Sequence, residues 1–195
     1  MLLGLTGGVA TGKSTFDGFL RARHSFAHFD ADACVHELLA ENAAVIAEVI
    51  GLFGPTVRDA SGGIDRAAVR RIVFRDPAAR ARLEKILHPR VRERWQALLS
   101  VCLATGEDML CNIPLLFETS AEGFFDLTIV VAATTDRQRS RMAARGLDEA
   151  TIEALLASQW PMEDKIRGAS LVVWNDGSKE ALQRQAEATL ARIFS

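Results

Sequence analysis

The residues Gly7-Gly8-Val9-Ala10-Thr11-Gly12-Lys13-Ser14-Thr15 fit G-x-x-x-x-G-K-[ST], a spacing suited to holding a polyphosphate. Glycines tolerate dihedrals that a Cβ forbids, so the backbone can wrap a phosphate closely. The N–H groups of the loop and of the first turn of the following helix then point at phosphate oxygens. Lys13 would reach the β/γ-phosphates, and the Ser14 hydroxyl would be a ligand of Mg²⁺. Gly8, Val9, Ala10, Thr11, Gly12, Lys13, Ser14 and Thr15 are therefore expected to bind a nucleoside triphosphate. The plain alternative is a glycine-rich turn that merely caps a helix. An apolar strand before the motif (Met1 to Leu5) and a helical pattern after it (Phe16, Phe19, Leu20) argue against that.

Two further groups could complete a phosphoryl transfer. Asp30 and Asp32 stand at the end of a short strand expected over 25–30. Carboxylates this close in sequence can point differently, one to an acceptor hydroxyl and one to a Mg²⁺-bound water or a helix N-terminus. Simple N-capping is the structural alternative. Arg137, Arg141 and Arg145 recur at i, i+4, i+8, with Arg139 offset. Arginine's planar fork suits phosphate oxygens, and a lid carrying such arginines would expel water and suppress hydrolysis. A solvated basic helix is the alternative there.

The elements that must position these residues follow a β/α rhythm. Helix is expected over 13–23, over a stretch from Asp30 that ends at Gly51 or Gly54-Pro55, from Asp65 through Phe74, and from Asp76-Pro77 to a break at His88-Pro89. A further helix runs from there to about Ala104. Strands are expected at 109–113, at 127–133 as an apolar β-branched run buried on both faces, and at 171–174. Helices over 136–145 and 148–157 and a closing helix over 178–193 complete the pattern. Five strands separated by helices imply an α/β protein with a parallel sheet and helices on both faces, its ligands at the carboxyl ends of the strands.

Composition sets the class. A chain of 195 residues with net charge −2 suits one domain and argues against a general nucleic-acid binder. No apolar run reaches the ~20 residues of a membrane span, and the apolar N-terminus lacks the basic start of a signal peptide. Cys34, Cys102 and Cys111 form no metal or C-x-x-C pattern, so reduced thiols in a cytoplasm are expected. Charge is unevenly distributed. From Arg66 to Arg94 there are ten basic and three acidic residues, a local excess of +7 that suits either a polyanionic ligand or a solvated helical face.

The N/T-K-x-D of GTP switches is absent. The third strand ends Asn112-Ile113-Pro114, without the terminal acids of motor and transporter ATPases. A small-molecule kinase remains. The loop with Leu5-Thr6, Asp30-Ala31-Asp32, Phe53-Gly54, Gly63-Ile64-Asp65-Arg66, Ile72-Val73-Phe74, His88-Pro89, Ile113-Pro114-Leu115-Leu116-Phe117-Glu118, Gln138-x-x-Arg141-x-x-x-Arg145, Gln159 and Asn175-x-Gly177 together resemble the dephospho-CoA kinase family. The resemblance implies a P-loop NTPase fold with a helical CoA-binding insertion at 55–105 and a helical lid at 136–167. It implies ATP-dependent phosphorylation of the ribose 3′-hydroxyl of dephospho-CoA, with Mg²⁺ and without nucleic acid, membrane or obligate protein partner. Asp32, Lys13 and Arg141 would be catalytic; Arg141, Arg145, Asn175 and Gly177 would join the loop in binding ATP. Thr6, Asp30, Asp32, Arg66, His88, Pro114, Leu115, Leu116 and Phe117 would serve the acceptor, and Ser14 the metal.

Three positions depart from the family pattern. Ala10-Thr11 replaces a frequent Gly-Ser, Asn112 a frequent Asp, and His36 stands where some relatives have Arg. Two other readings stay open: a kinase of another small hydroxyl acceptor such as a nucleoside or sugar, and a nucleotide-dependent binding module without turnover.

Overall fold

A computed structural model describes residues 1–194. In chain order its elements are β1 (Leu2–Gly7), α1 (Lys13–Arg21), β2 (Ala27–Asp30), α2 (Ala31–Glu41), α3 (Ala43–Phe53), α4 (Arg66–Arg75), α5 (Pro77–Thr105), β3 (Met109–Asn112), β4 (Leu127–Ala132), α6 (Thr135–Ala143), α7 (Glu149–Ala157), α8 (Met162–Gly168), β5 (Leu171–Trp174) and α9 (Lys179–Ile193). Short 3₁₀ turns lie at Pro55–Val57 and Glu122–Phe124. The chain forms two compact units, residues 1–29 with 99 onward, and residues 30–98.

The first unit is built on a five-stranded sheet of order β2-β3-β1-β4-β5. β1 pairs in parallel with β3 (Leu3 opposite Leu110) and with β4 (Leu3 opposite Leu127), and β4 pairs in parallel with β5. Every residue of β1 is buried, as the apolar run Leu2–Leu5 requires when helices cover both faces. Leu3, Leu5, Leu110, Ile129 and Val131 form a core with Phe16 and Leu20 of α1 and Leu182 and Leu190 of α9. A Cβ on Gly4 would come within 2.8 Å of Leu116 and Phe125, so β1 leaves room there for those two side chains. The carboxyl ends of β1, β3, β4 and β5 lead into 8–12, 113–118, 133–134 and 175–178, the end at which such sheets carry ligands. α8 is an element that the sequence pattern does not announce. Its seven residues, Met-Glu-Asp-Lys-Ile-Arg-Gly, carry one apolar pair and no periodic stripe.

The second unit is helical. The single helix expected from Asp30 is two: Asn42 ends α2, adopts an extended conformation and caps α3 by accepting from Val45 N at 3.0 Å. Gly54, at φ 81°, ends α3, and Asp65 caps α4 by accepting from Ala68 N at 3.0 Å. The expected break at His88-Pro89 does not occur, because α5 runs through it for 29 residues. An interior proline costs about 3 kcal/mol or more through its lost N–H and a ring clash. Leu87, Val91 and Trp95, buried at four-residue spacing on both sides of Pro89, oppose that cost. The Arg90 guanidinium also donates to the Ile86 carbonyl at 2.7 Å.

The basic excess of residues 66–94 is balanced within its own unit. Residues 30–98 hold eleven basic and ten acidic side chains. Arg90 pairs with Glu48 of α3 at 2.6 Å and Arg94 with Glu37 of α2 at 2.9 Å.

Candidate phosphoryl-transfer site

β1 ends at Gly7, where a Cβ would come within 2.5 Å of the Val131 carbonyl; a side chain there would push β1 off β4. The loop then turns through Ala10 at φ 57° and Gly12 at φ 94° into α1. At Gly12 a Cβ would be strained by the dihedral and would also overlap Asn175 Nδ2. Gly12 is the N-cap of α1 and provides no side-chain cap. The first N–H groups of α1, with the positive end of its dipole, therefore face the loop, which is the physical basis of anion binding. Ser14 is exposed in that first turn, and the Lys13 ammonium donates to Asn112 Oδ1 at the buried end of β3. Asn112 thus holds the lysine with a neutral oxygen.

Side chains from distant elements hold the loop by its peptide groups. Gln138 Nε2 donates to Val9 O at 2.7 Å, and Val9 N donates to Gln159 Oε1 at 2.8 Å. Arg141 Nη1 donates to the carbonyls of Ala10 (3.1 Å) and Thr11 (3.2 Å), while its Nη2 donates to Asn175 O at 2.7 Å. Asn175, itself buried, donates to Thr11 O at 2.8 Å, and Thr11 Oγ1 donates to Gly8 O at 2.9 Å. Arg141 and Asn175, expected as nucleotide contacts, therefore stand against the loop backbone. Arg145 lies exposed just beyond α6, and Gly177 is exposed in the turn before α9. Arg139 is engaged by Glu149 and Glu153 of α7.

The residues after β3 form a second buried node. Thr6 Oγ1 donates to Pro114 O at 3.0 Å, and Lys165 Nζ of α8 donates to the same carbonyl at 3.1 Å. Lys165 is fully buried and pairs with Glu118 at 2.8 Å; Glu118 Oε1 also accepts from Trp160 N at 3.1 Å, and its second oxygen has no partner among the described residues. Leu116 is fully buried against Gly4, and Phe117 is buried against Gly168. Those two side chains present no surface to a ligand here, whereas Pro114 and Leu115 remain partly exposed. Spacing gives no sign of the buried Lys165–Glu118 pair, because 47 residues separate partners that meet only in the folded chain.

In α1, Asp17 is buried beside His28 and Arg21, each at 2.9 Å. Burial pushes its carboxyl upward, but the hydrogen bonds and charges of His28 and Arg21 outweigh this and hold it below the ordinary value.

In the helical unit, Asp30 Oδ1 accepts from Ala33 N at 2.9 Å, so the capping alternative is realised at Asp30. Asp32 lies exposed in the first turn of α2. Arg66, at the start of α4, meets His36 of α2 through Nη2 and Nε2. His88 is partly buried within α5.

The family model described as dephospho-CoA kinase matches residues 1–181. The chain belongs to the dephospho-CoA kinase family. It is 39% identical to the dephospho-CoA kinase of Gloeobacter violaceus over 195 residues, covering 97% of this chain and 91% of that protein. With the dephospho-CoA kinase of Anaeromyxobacter dehalogenans it shares 41% identity, covering 98% and 92%. Among solved structures, a Thermus thermophilus protein matches with TM-score 0.77 and 36% identity over 99% of this chain and 97% of that one. The Campylobacter jejuni dephospho-CoA kinase matches with TM-score 0.72 and 25% identity over 98% and 96%. Shikimate kinase from Acinetobacter baumannii, at 13% identity and TM-score 0.54, shares the fold.

Proposed function

We propose that the loop Gly8–Thr15 binds the donor phosphates and that Asp32 serves the acceptor hydroxyl, in a transfer from ATP to the ribose 3′-hydroxyl of dephospho-CoA. As a member of the dephospho-CoA kinase family, the protein catalyses ATP-dependent phosphorylation of dephospho-CoA, giving CoA and ADP. The observation that carries the donor half is the uncapped N-terminus of α1 behind a loop held in shape by four side chains. Fixed N–H dipoles of this kind stabilise charge developing on the phosphoryl oxygens without reorganising during the reaction. Lys13 adds a full positive charge on the β/γ side.

Asp32 would orient the acceptor hydroxyl and take its proton. An aspartate is a weak base at neutral pH, which suffices when the transition state is loose and the proton leaves late. Arg145 is exposed and suited to close on the donor, and Arg66 with His88, Pro114 and Leu115 would face the acceptor. The donor set also fits Mg²⁺. Ser14 offers one exposed hard oxygen, no cluster of three acidic, His or Cys ligands exists among the described residues, and magnesium characteristically takes few protein ligands beside phosphates and water. When bound it would neutralise charge on the β- and γ-phosphates. The site is read as lying in a cytoplasmic protein; no described helix is long and apolar enough to cross a membrane.

The test is ADP release with Mg-ATP, with and without dephospho-CoA, with the mass and the phosphate position of the product determined. Acceptor-dependent release and a 3′-phosphorylated product are expected. Release that ignores dephospho-CoA, or that follows a nucleoside or sugar instead, would overturn the assignment.

A further inference from the structure

Val9 occupies the outer turn of the phosphate loop, between glycines at 7, 8 and 12 and the positive-φ residue Ala10. A segment of this composition has little conformational preference of its own, since glycine loses more freedom on ordering than any other residue. Its shape must be imposed from outside. Downstream, Arg141 and Asn175 hold the Ala10 and Thr11 carbonyls. Upstream, Val9 is gripped at both ends: Gln138 of α6 donates to its carbonyl at 2.7 Å, and Gln159, beyond α7, accepts from its N–H at 2.8 Å. The two side chains supply the donor and the acceptor that a neighbouring strand would offer. Gly8 lies in the same contact, where a Cβ would come within 2.7 Å of Gln138 Nε2 and of Met162 Cε.

The geometry points to Gln138 and Gln159 as a pair of positioning residues that fix Val9, and through it the loop, in the conformation that receives the donor's terminal phosphates. Neither touches the phosphates in this account, which rests on the reading of the loop as the ATP site. Their contribution is preorganisation: a loop already fixed loses less freedom when the nucleotide binds and misplaces fewer N–H dipoles in the transition state. Amide polarity makes the pair distinguishable. A carbonyl can only accept, so Gln138 must present its NH₂; an N–H can only donate, so Gln159 must present its oxygen.

The experiment compares wild-type enzyme with Gln138→Met, Gln159→Met, the double variant, Gln138→Glu and Gln159→Glu. Equilibrium Mg-ATP affinity, ATP KM, kcat, dephospho-CoA KM and Tm are measured for each. Each Met variant is expected to weaken ATP about tenfold, equivalent to about 1.4 kcal/mol, while the acceptor KM stays within twofold. The double variant is expected to lose well under a hundredfold, because both side chains hold one residue and their effects are coupled. The Glu variants add the same charge beside the same residue, yet Gln159→Glu keeps its acceptor and Gln138→Glu loses its donor. ATP affinity is expected to be at least fivefold better in Gln159→Glu.

ATP affinity and kcat within twofold of wild type in both Met variants would overturn the proposal. So would equal impairment of the two Glu variants, or a fall in Tm with ATP affinity unmoved. Gln138 is buried, and if its variants fail to fold, the partly exposed Gln159 series decides by itself. Mg-ATP titration does not depend on the acceptor's identity. A wrong acceptor would therefore appear as absent turnover with the titration differences intact.

Discussion

The two compact units use their charged and polar side chains in opposite ways. In the sheet unit, Gln138, Gln159, Arg141, Asn175 and Lys165 are turned inward onto backbone groups of the phosphate loop and of the residues after β3. In the helical unit, arginines reach across the surface to glutamates of other helices, as in Arg90–Glu48 and Arg94–Glu37, with partners 30–59% exposed. Inward side chains fix a backbone shape, and their loss leaves buried groups unpaired. Surface pairs adjust charge and are replaced by water at little cost. The sheet unit is thus suited to hold a donor in one geometry. The near-neutral helical unit presents local positive charge on a background that its own acids balance.

This contrast can be broken at both ends. The largest effect is expected from Lys13→Ala, which removes a charge from the loop: turnover should fall about 10³-fold while the protein remains folded by circular dichroism. A rate near wild type would show that the loop does not handle the phosphoryl group. Lys165→Met should lower stability by about 3 kcal/mol or more, because it strands the Glu118 carboxylate against buried surroundings. Adding Glu118→Gln to it should recover part of that loss; denaturant unfolding of the single and double variants measures both. In the helical unit, Arg90→Ala or Arg94→Ala should cost no more than about 1 kcal/mol, with less effect at high salt. A loss as large as that from Lys165→Met would erase the distinction between the units.

Asp17 tests the same contrast through pH. Its carboxyl is held below the ordinary 3.8 in the folded protein, so the stability it contributes is complete above about that pH. That contribution is lost as pH falls through the lower folded value. Thermal unfolding between pH 5 and 2 should show this decline, and Asp17→Asn should flatten it. The smallest effect is expected at Ala10, whose φ of 57° suits glycine better than alanine. Ala10→Gly relieves that strain but loosens the unfolded chain, so the net gain should be below about 1 kcal/mol, with ATP affinity retained. A clear destabilisation by calorimetry would contradict the strain.

Local signals made part of this legible from residues alone. The apolar runs of β1 and β4 and the glycine spacing of the loop each act within a few residues, and each appears where the pattern puts it; the helices expected to open at residues 65, 148 and 178 are capped by Asp65, Asp148 and Ser178. Long-range competition hid the rest. Pro89 looks like a helix end until the buried stripe of Leu87, Val91 and Trp95 is seen to carry α5 past it. Asn42 looks like a mid-helix residue until its side chain caps α3. At the site, Lys13 and Ser14 follow from spacing. The grip on Val9 joins residues 129 and 150 positions apart, and the spacing of Arg141 does not announce the bonds of its guanidinium to the carbonyls of Ala10 and Thr11.

The division of labour is tested most directly by Asp32→Asn, assayed for Mg-ATP affinity by titration and for phosphoryl transfer to dephospho-CoA in a single turnover. If the sheet unit binds the donor and Asp32 serves the acceptor hydroxyl, ATP affinity stays within twofold while the transfer rate falls about 10²-fold or more. A transfer rate equal to wild type would remove Asp32 from the mechanism, and a matching loss of ATP affinity would place it on the donor side instead.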